Sequence, residues 1–299
     1  MKLPEALYLI LLIPLAGCQR SADELPTQST PPLQGIFGYH GGSQTLVFAH
    51  RGGPGDGYPE NAIVTFDHTL ELTGAFMEVD PRYTKDGIMV LFHDDTLERC
   101  SNGIGKVSDI TYAELKKLKL LDKAGKVTSY TVPTLEEALR WARHKSILLL
   151  DRKDVSVEER VKAIQQQDAF TCAMVSAYSY DEAKRVYELD PRVMMQVFMP
   201  DMSAFKRFEE TGVPWGNIIA SISKVPLTSE HRVLIEKIHD KGAKVVVASY
   251  GMLDHPYLAG EISREAFESG YQELFDAGVD IIQCDLPIEV RKIIEAQNR

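Results

Sequence analysis

Between Thr45 and Cys284 the chain alternates short apolar runs with longer stretches whose apolar residues recur every three or four positions. The runs are TLVFA (45–49), FMEV (76–79), IMVLF (88–92), SILLL (146–150), TCAMVS (171–176), VMMQVF (193–198), NIIASI (217–222), KVVVAS (244–249) and DIIQC (280–284). Several are continuous and rich in β-branched residues, the pattern of parallel strands buried on both faces. Helical spacing predicts helices over 62–72, 135–143, 157–166, 180–189, 202–210, 229–241 and 264–277. PTLEEALRWA places Thr134 three residues before Glu137, a capping box. DKGAKVVV and DAGVDIIQ each set a glycine between a helix end and a strand start. Repeated β-then-α units point to a (β/α)₈ barrel or a doubly wound sheet. Nine runs exceed the eight positions of a barrel, and NIIASI is the one expected to fall outside it. Residues 95–133 are too long for a βα connection and read as a lobe inserted after the third strand.

The N-terminus follows another pattern. MKLPEALYLILLIPLAGCQR carries an apolar run from Leu7 to Leu15, too short to span a bilayer and of the length of a signal peptide's apolar region. LAGC resembles a bacterial lipoprotein box, which implies a signal peptide over residues 1–17 and acylation of Cys18. Gln19, which is not acidic, implies by the same resemblance an outer-membrane protein facing the periplasm, anchored to the membrane surface by its acyl chains. Residues 18–39 have the polar, Pro-rich composition of a tether, so the folded domain is expected over 40–299. Cys100, Cys172 and Cys284 are too widely spaced for a disulfide framework or a zinc site, and Cys172 and Cys284 read as small buried apolar residues. A net charge of −10 gives no basic footprint for nucleic acid.

Ionisable residues gather where the apolar runs end. The first run is followed by His50-Arg51, the second by Asp80 just after Glu78, the third by His93-Asp94-Asp95, and the fourth by Asp151-Arg152-Lys153. In a barrel these ends share one face, where active sites are built. Residues two apart on a strand point the same way, which pairs Glu78 with Asp80 and Asp151 with Lys153. Three converging carboxylates repel one another unless a cation lies among them, and oxygen-only ligation suits Ca²⁺ or Mg²⁺. Two histidines supply general acid–base chemistry near neutral pH. Arg51 and Lys153 add positive charge suited to a phosphate oxygen. Together these groups describe a site for cleaving a phosphodiester.

The stretch HRGG…PEN…FMEVDPRYTKDGIMVLFHDDTLER resembles the signature of the glycerophosphodiester phosphodiesterase family, with matching spacing from Ala49 to Arg99. VPTLEEAL, LLLDRK, SAYS and QCDLP are weaker echoes along the rest of the domain. The resemblance implies a TIM-type barrel with an insertion. It also implies hydrolysis of glycerophosphodiesters to glycerol 3-phosphate and an alcohol with one divalent cation. Carried over by motif, His50 and His93 form the acid–base pair, and Glu78, Asp80 and Asp151 hold the metal. Arg51 and Lys153 would bind phosphate, and Glu60 and Asn61 would orient the site, Glu60 close to the metal. The residues are equally compatible with attack by a substrate hydroxyl, giving a cyclic phosphate, and with direct attack by water.

The sequence departs from the family pattern at four points. Asp151 stands where the family has Glu, SAYS where it usually has SF, QCDLP where it usually has TDxP, and the Trp-Thr that usually follows the late strand is missing from VVVASYGMLD. The competing functions are a phospholipase of the phosphatidylinositol-specific or sphingomyelinase D type, and a lipoprotein that binds phosphodiesters without turnover. The first should carry an apolar rim, whereas the inserted region here is mostly polar. The second should lack a histidine, and both are present.

Overall fold

The computed structural model describes residues 33–42, 44–222 and 227–297. The expected signal peptide, Cys18 and most of the tether lie outside those residues. Among the described residues, no helix is long and apolar enough to cross a membrane.

Eight parallel strands close into a barrel: β1 (Leu46–Ala49), β2 (Phe76–Val79), β5 (Leu148–Leu150), β6 (Ala173–Ala177), β7 (Met195–Phe198), β8 (Ile218–Ser221), β9 (Lys244–Ala248) and β10 (Ile281–Cys284), with β10 pairing back onto β1. Strand periodicity sorts the apolar side chains. Val47, Leu148, Leu150, Ala173 and Val175 pack outward under the helices, whereas Phe48, Leu149, Met174, Ile219 and Val246 fill the interior. The helices after the barrel strands include α2 (Ile63–Thr73), α4 (Leu135–Ala142), α5 (Val157–Gln166), α6 (Tyr180–Leu189), α7 (Met202–Glu209), α8 (Ser229–Asp240), the short α9 (His255–Leu258), α10 (Arg264–Asp276) and α11 (Pro287–Gln297). The expected capping box at α4 is present, with the Thr134 hydroxyl and the Glu137 carboxylate each accepting from the other's backbone N–H. Gly242 and Gly278, at the two helix-to-strand returns, have φ of 83° and 85°, a conformation costly for a side chain.

Three expectations from the sequence are corrected. NIIASI is a barrel strand, β8, and IMVLF is the run that falls outside. Residues Met89–Leu91 form β4, which pairs antiparallel with β3 (Pro81–Tyr83) in a hairpin separate from the barrel. A parallel crossover needs a dozen or more residues, and only eight separate Val79 from Ile88, so the second of these runs could only fold back. The insertion therefore follows the second barrel strand and starts with this hairpin. It has its own small core of Val90, Phe92, Leu97, Val107, Leu115, Leu120 and Val132, and includes α3 (Tyr112–Leu115). Finally, residues 33–37 belong to the folded domain and not to a tether. They form α1 (Leu33–Phe37), whose Leu33 and Phe37 are fully buried with the N-terminal ends of the strands. The Phe37 ring stacks on Phe48 and meets Phe76 edge-on, at 5.8 and 5.7 Å between centroids.

Candidate active site

At the end of β1 the chain makes a 3₁₀ turn over His50–Gly52, with Arg51 in the left-handed region at φ 53°. That turn aims the Arg51 backbone N–H at Glu78 Oε2, 2.8 Å away on the neighbouring strand. Gly52 and Gly53 answer to packing as well as to conformation. A Cβ on Gly52 would lie 2.5 Å from the Phe66 ring, and one on Gly53 would lie 2.6 Å from Pro287. The loop returns at Asn61, whose backbone N–H donates to the Arg51 carbonyl. The Asn61 side-chain amide brackets Asp80, donating to Oδ2 at 2.6 Å and accepting from the Asp80 N–H at 3.0 Å. The glycines, the His-Arg pair and the Asn exit thus bind one loop to the carboxylates of the next strand.

Glu78, Asp80 and Asp151 each bring a carboxylate oxygen within 4.8 Å of the others. Glu78 and Asp80 are buried. Burial, and then the charges of Asp80 and Asp151, push the Glu78 carboxyl well above its ordinary pKa. The Lys153 ammonium lies 2.9 Å from Asp80 Oδ1 and 2.7 Å from Asp151 Oδ2, partly neutralising the cluster. Asp80 Oδ1 is buried with the Lys153 ammonium as its ion-pair partner, which leaves a single ammonium against three carboxylates. A hard divalent cation would relieve the repulsion that raises Glu78, so the three carboxylates fit such an ion.

The two histidines are oriented alike. His50 Nδ1 lies 2.6 Å from Asp285 Oδ1, and its Nε2 faces Glu78 Oε2 at 3.9 Å. The Tyr250 ring stacks on the imidazole at 4.2 Å between centroids and 9° between planes. Asp285 Oδ2 takes His255 Nε2 at 2.7 Å, and the Asp285 backbone N–H donates to Asp254. Burial works to raise the Asp285 carboxyl, but the two histidines more than offset it and hold its pKa at about 2.

His93 follows the β3–β4 hairpin and is not at the end of a barrel strand. Arg82 of β3 donates twice to the His93 carbonyl, and the Phe92 N–H donates to the Asp80 carbonyl, which brings the imidazole to the cluster. Its Nδ1 lies 2.7 Å from Asp94 Oδ1. Burial, together with the charges of Arg51 and Lys153, lowers the His93 pKa despite Asp80 and Asp94.

Glu60 sits among the arginines that flank the site. Its carboxylate accepts from Arg51, from both terminal nitrogens of Arg99 and from the Cys100 thiol, and it is not among the clustered carboxylates. Arg99 in turn grips Asp94, so Glu60 supports His93 through a chain of ion pairs. Arg51, His50, Tyr250 and Asp285 open onto a cleft of about 530 Å³, closed on its far side by the 121–125 turn of the insertion.

The structure thus brings together all seven residues expected to carry the chemistry. Sequence reasoning gave no role to Asp285, Tyr250, His255 or Tyr178. QCDLP was a visible signal for Asp285, and SAYS for Tyr178. Tyr250 and His255 lie in a π-helical turn and short helix after β9, with no pattern to mark them.

Comparison with known proteins agrees with this geometry. A profile of the glycerophosphoryl diester phosphodiesterase family matches residues 50–287. The chain is 30% identical over 173 residues to the glycerophosphodiester phosphodiesterase of Bacillus altitudinis, an alignment covering 53% of this chain and 68% of that protein. It is 34% identical over 158 residues to that of Caldanaerobacter subterraneus, covering 50% of this chain and 65% of the relative. The aligned segments thus span about two thirds of the length of these two relatives. A crystal structure of a glycerophosphoryl diester phosphodiesterase from Parabacteroides distasonis superposes with a TM-score of 0.83 at 41% identity, covering 89% of this chain and 91% of that one. A phosphodiesterase from Oleispira antarctica shares the fold at a TM-score of 0.64 and 22% identity, covering 84% of this chain and 96% of that one. With the barrel, the paired histidines and the carboxylate cluster in place, the chain belongs to the glycerophosphoryl diester phosphodiesterase family of enzymes.

Proposed function

We propose that this phosphodiesterase hydrolyses glycerophosphodiesters to glycerol 3-phosphate and an alcohol, with one divalent cation, Ca²⁺ or Mg²⁺, and with His50 and His93 exchanging the protons. The observation that carries the reading is a three-carboxylate cluster that a single ammonium, Lys153, only partly neutralises, beside two imidazoles whose Nδ1 atoms are tied to carboxylates. An imidazole whose Nδ1–H is engaged presents Nε2 for proton transfer. When bound by Glu78, Asp80 and Asp151, the cation supplies positive charge to the phosphate and acidifies a hydroxyl brought to it. One imidazole takes the proton of the attacking oxygen, which belongs to water or to a substrate hydroxyl whose cyclic phosphate water then opens, and the other gives a proton to the departing alkoxide. The Arg51 guanidinium and the Lys153 ammonium supply further charge to the phosphate oxygens. The Oleispira antarctica enzyme holds sn-glycerol 3-phosphate as its product, which supports the same substrate class here.

The test is release of glycerol 3-phosphate from glycerophosphocholine, glycerophosphoethanolamine and glycerophosphoinositol, with Ca²⁺, Mg²⁺ or chelator. Release that chelator stops supports the reading, and no release from any of the three by folded, metal-supplied protein overturns it. The proposal includes lipid anchoring at Cys18, which rests on LAGC. It predicts labelling by radioactive palmitate that Cys18→Ser abolishes.

A further inference from the structure

We propose that Tyr178 is a positioning residue that holds Asp151 in place as a metal ligand and compensates for the shorter carboxylate at that position. The inference rests on the metal reading above. Asp151 stands where the family pattern has Glu, Tyr178 lies in the SAYS stretch, and the fold joins the two in one contact, with the Tyr178 hydroxyl donating to Asp151 Oδ1. Asp151 Oδ2 is taken by Lys153, so tyrosine and lysine between them fix the carboxylate plane.

The tyrosine is itself held on several sides. The Arg152 guanidinium stacks on its ring, 4.3 Å from the centroid. Glu182, at the start of α6, accepts from the Tyr178 backbone N–H at 2.7 Å and from Arg152 at 3.3 Å. Beneath them the fully buried Arg160 donates from one terminal nitrogen to the carbonyls of Leu150 and Ser176, both at 2.9 Å. These carbonyls precede Asp151 by one residue and Tyr178 by two, so Arg160 clamps the ends of β5 and β6 that present the pair. A carboxylate one methylene shorter than Glu reaches the cluster from a fixed direction only if something on its other side holds it there. Hydrogen bonds that orient metal-ligating side chains typically contribute 10–100-fold in metal affinity.

The test is calorimetric titration of metal-free protein with Mg²⁺ and with Ca²⁺, in wild type, Tyr178→Phe, Asp151→Glu and the double variant. Tyr178→Phe should weaken binding of at least one ion about 10-fold. Adding Asp151→Glu, which restores the family's longer arm beside a ring without a hydroxyl, should recover most of that loss. Because the ring is half exposed and Phe keeps its shape, the metal-free thermal midpoint should not move. Tyr178→Phe binding both ions like wild type overturns the inference and leaves the metal reading intact. So does a loss that Asp151→Glu does not repair. Wild type that binds neither ion overturns both.

Discussion

His50 Nδ1 lies 2.6 Å from Asp285 Oδ1 although 235 residues separate them. The closure of β1 against β10 creates the contact, setting the end of the first barrel strand beside the end of the last. Asp285 fixes the tautomer of His50 and, through its other oxygen, holds His255. Replacing it with Asn removes the charge and keeps the shape. Asp285→Asn should lower kcat by about 10²-fold or more, as loss of an orienting carboxylate does in other catalytic histidine pairs. Steady-state kinetics check this, with circular dichroism to show an unchanged fold.

The same carboxylate gives a pH dependence with a defined sign. Its pKa falls from 3.8 unfolded to about 2 folded. A group depressed on folding stabilises fully above its unfolded pKa and loses that effect as pH falls through its folded pKa. Asp285 should therefore contribute on the order of 2 kcal/mol above pH ~4, lost between pH ~4 and ~2. Denaturant melts of wild type and Asp285→Asn should converge across that interval.

Glu78 is destabilising without a cation. Its raised pKa means that burial and the two neighbouring carboxylates oppose its ionised form, a penalty that grows as pH rises. At pH 8, Glu78→Gln should raise the metal-free thermal midpoint by about 2–4 °C, corresponding to ~1 kcal/mol. The same substitution should abolish the rise in midpoint that added Mg²⁺ or Ca²⁺ gives wild type. Differential scanning calorimetry measures both.

Phe37 plugs the N-terminal end of the barrel against Phe48 and Phe76. Phe37→Ala should cost about 3–5 kcal/mol, as large-to-small changes at fully buried aromatic residues do. A chain begun at His40 should lose at least as much. Urea unfolding of the three proteins provides the comparison.

Much of this was legible in the sequence because it rests on local patterns. The continuous apolar runs marked every barrel strand, the capping box at Thr134 marked α4, the motif from His50 to Asp94 marked Glu78, Asp80 and both imidazoles, and LLLDRK marked Asp151. Counting strands failed where only connection length could decide, since IMVLF is the more apolar of the two runs yet follows its predecessor too closely for a crossover, whereas NIIASI does not. Contacts made by barrel closure were invisible for a different reason. Nothing near Asp285 or Tyr250 in sequence signals that either meets His50. The arginine partners of Glu60 were equally hidden, since Arg99 lies 39 residues further along the chain.

If His50 and His93 divide the proton transfers, activating the leaving group separates their roles. A histidine that protonates the leaving alkoxide becomes dispensable when the leaving group is a stable aryl oxide, whereas one that accepts the attacking proton does not. The measurement is kcat/KM for His50→Ala and His93→Ala on glycerophosphocholine and on the p-nitrophenyl ester of glycerol 3-phosphate, with metal supplied. Losses of about 10²–10⁴-fold are expected for both variants on glycerophosphocholine, with one of the two largely restored on the aryl ester. Equal losses on both substrates, or a variant that retains full activity on glycerophosphocholine, would contradict that division.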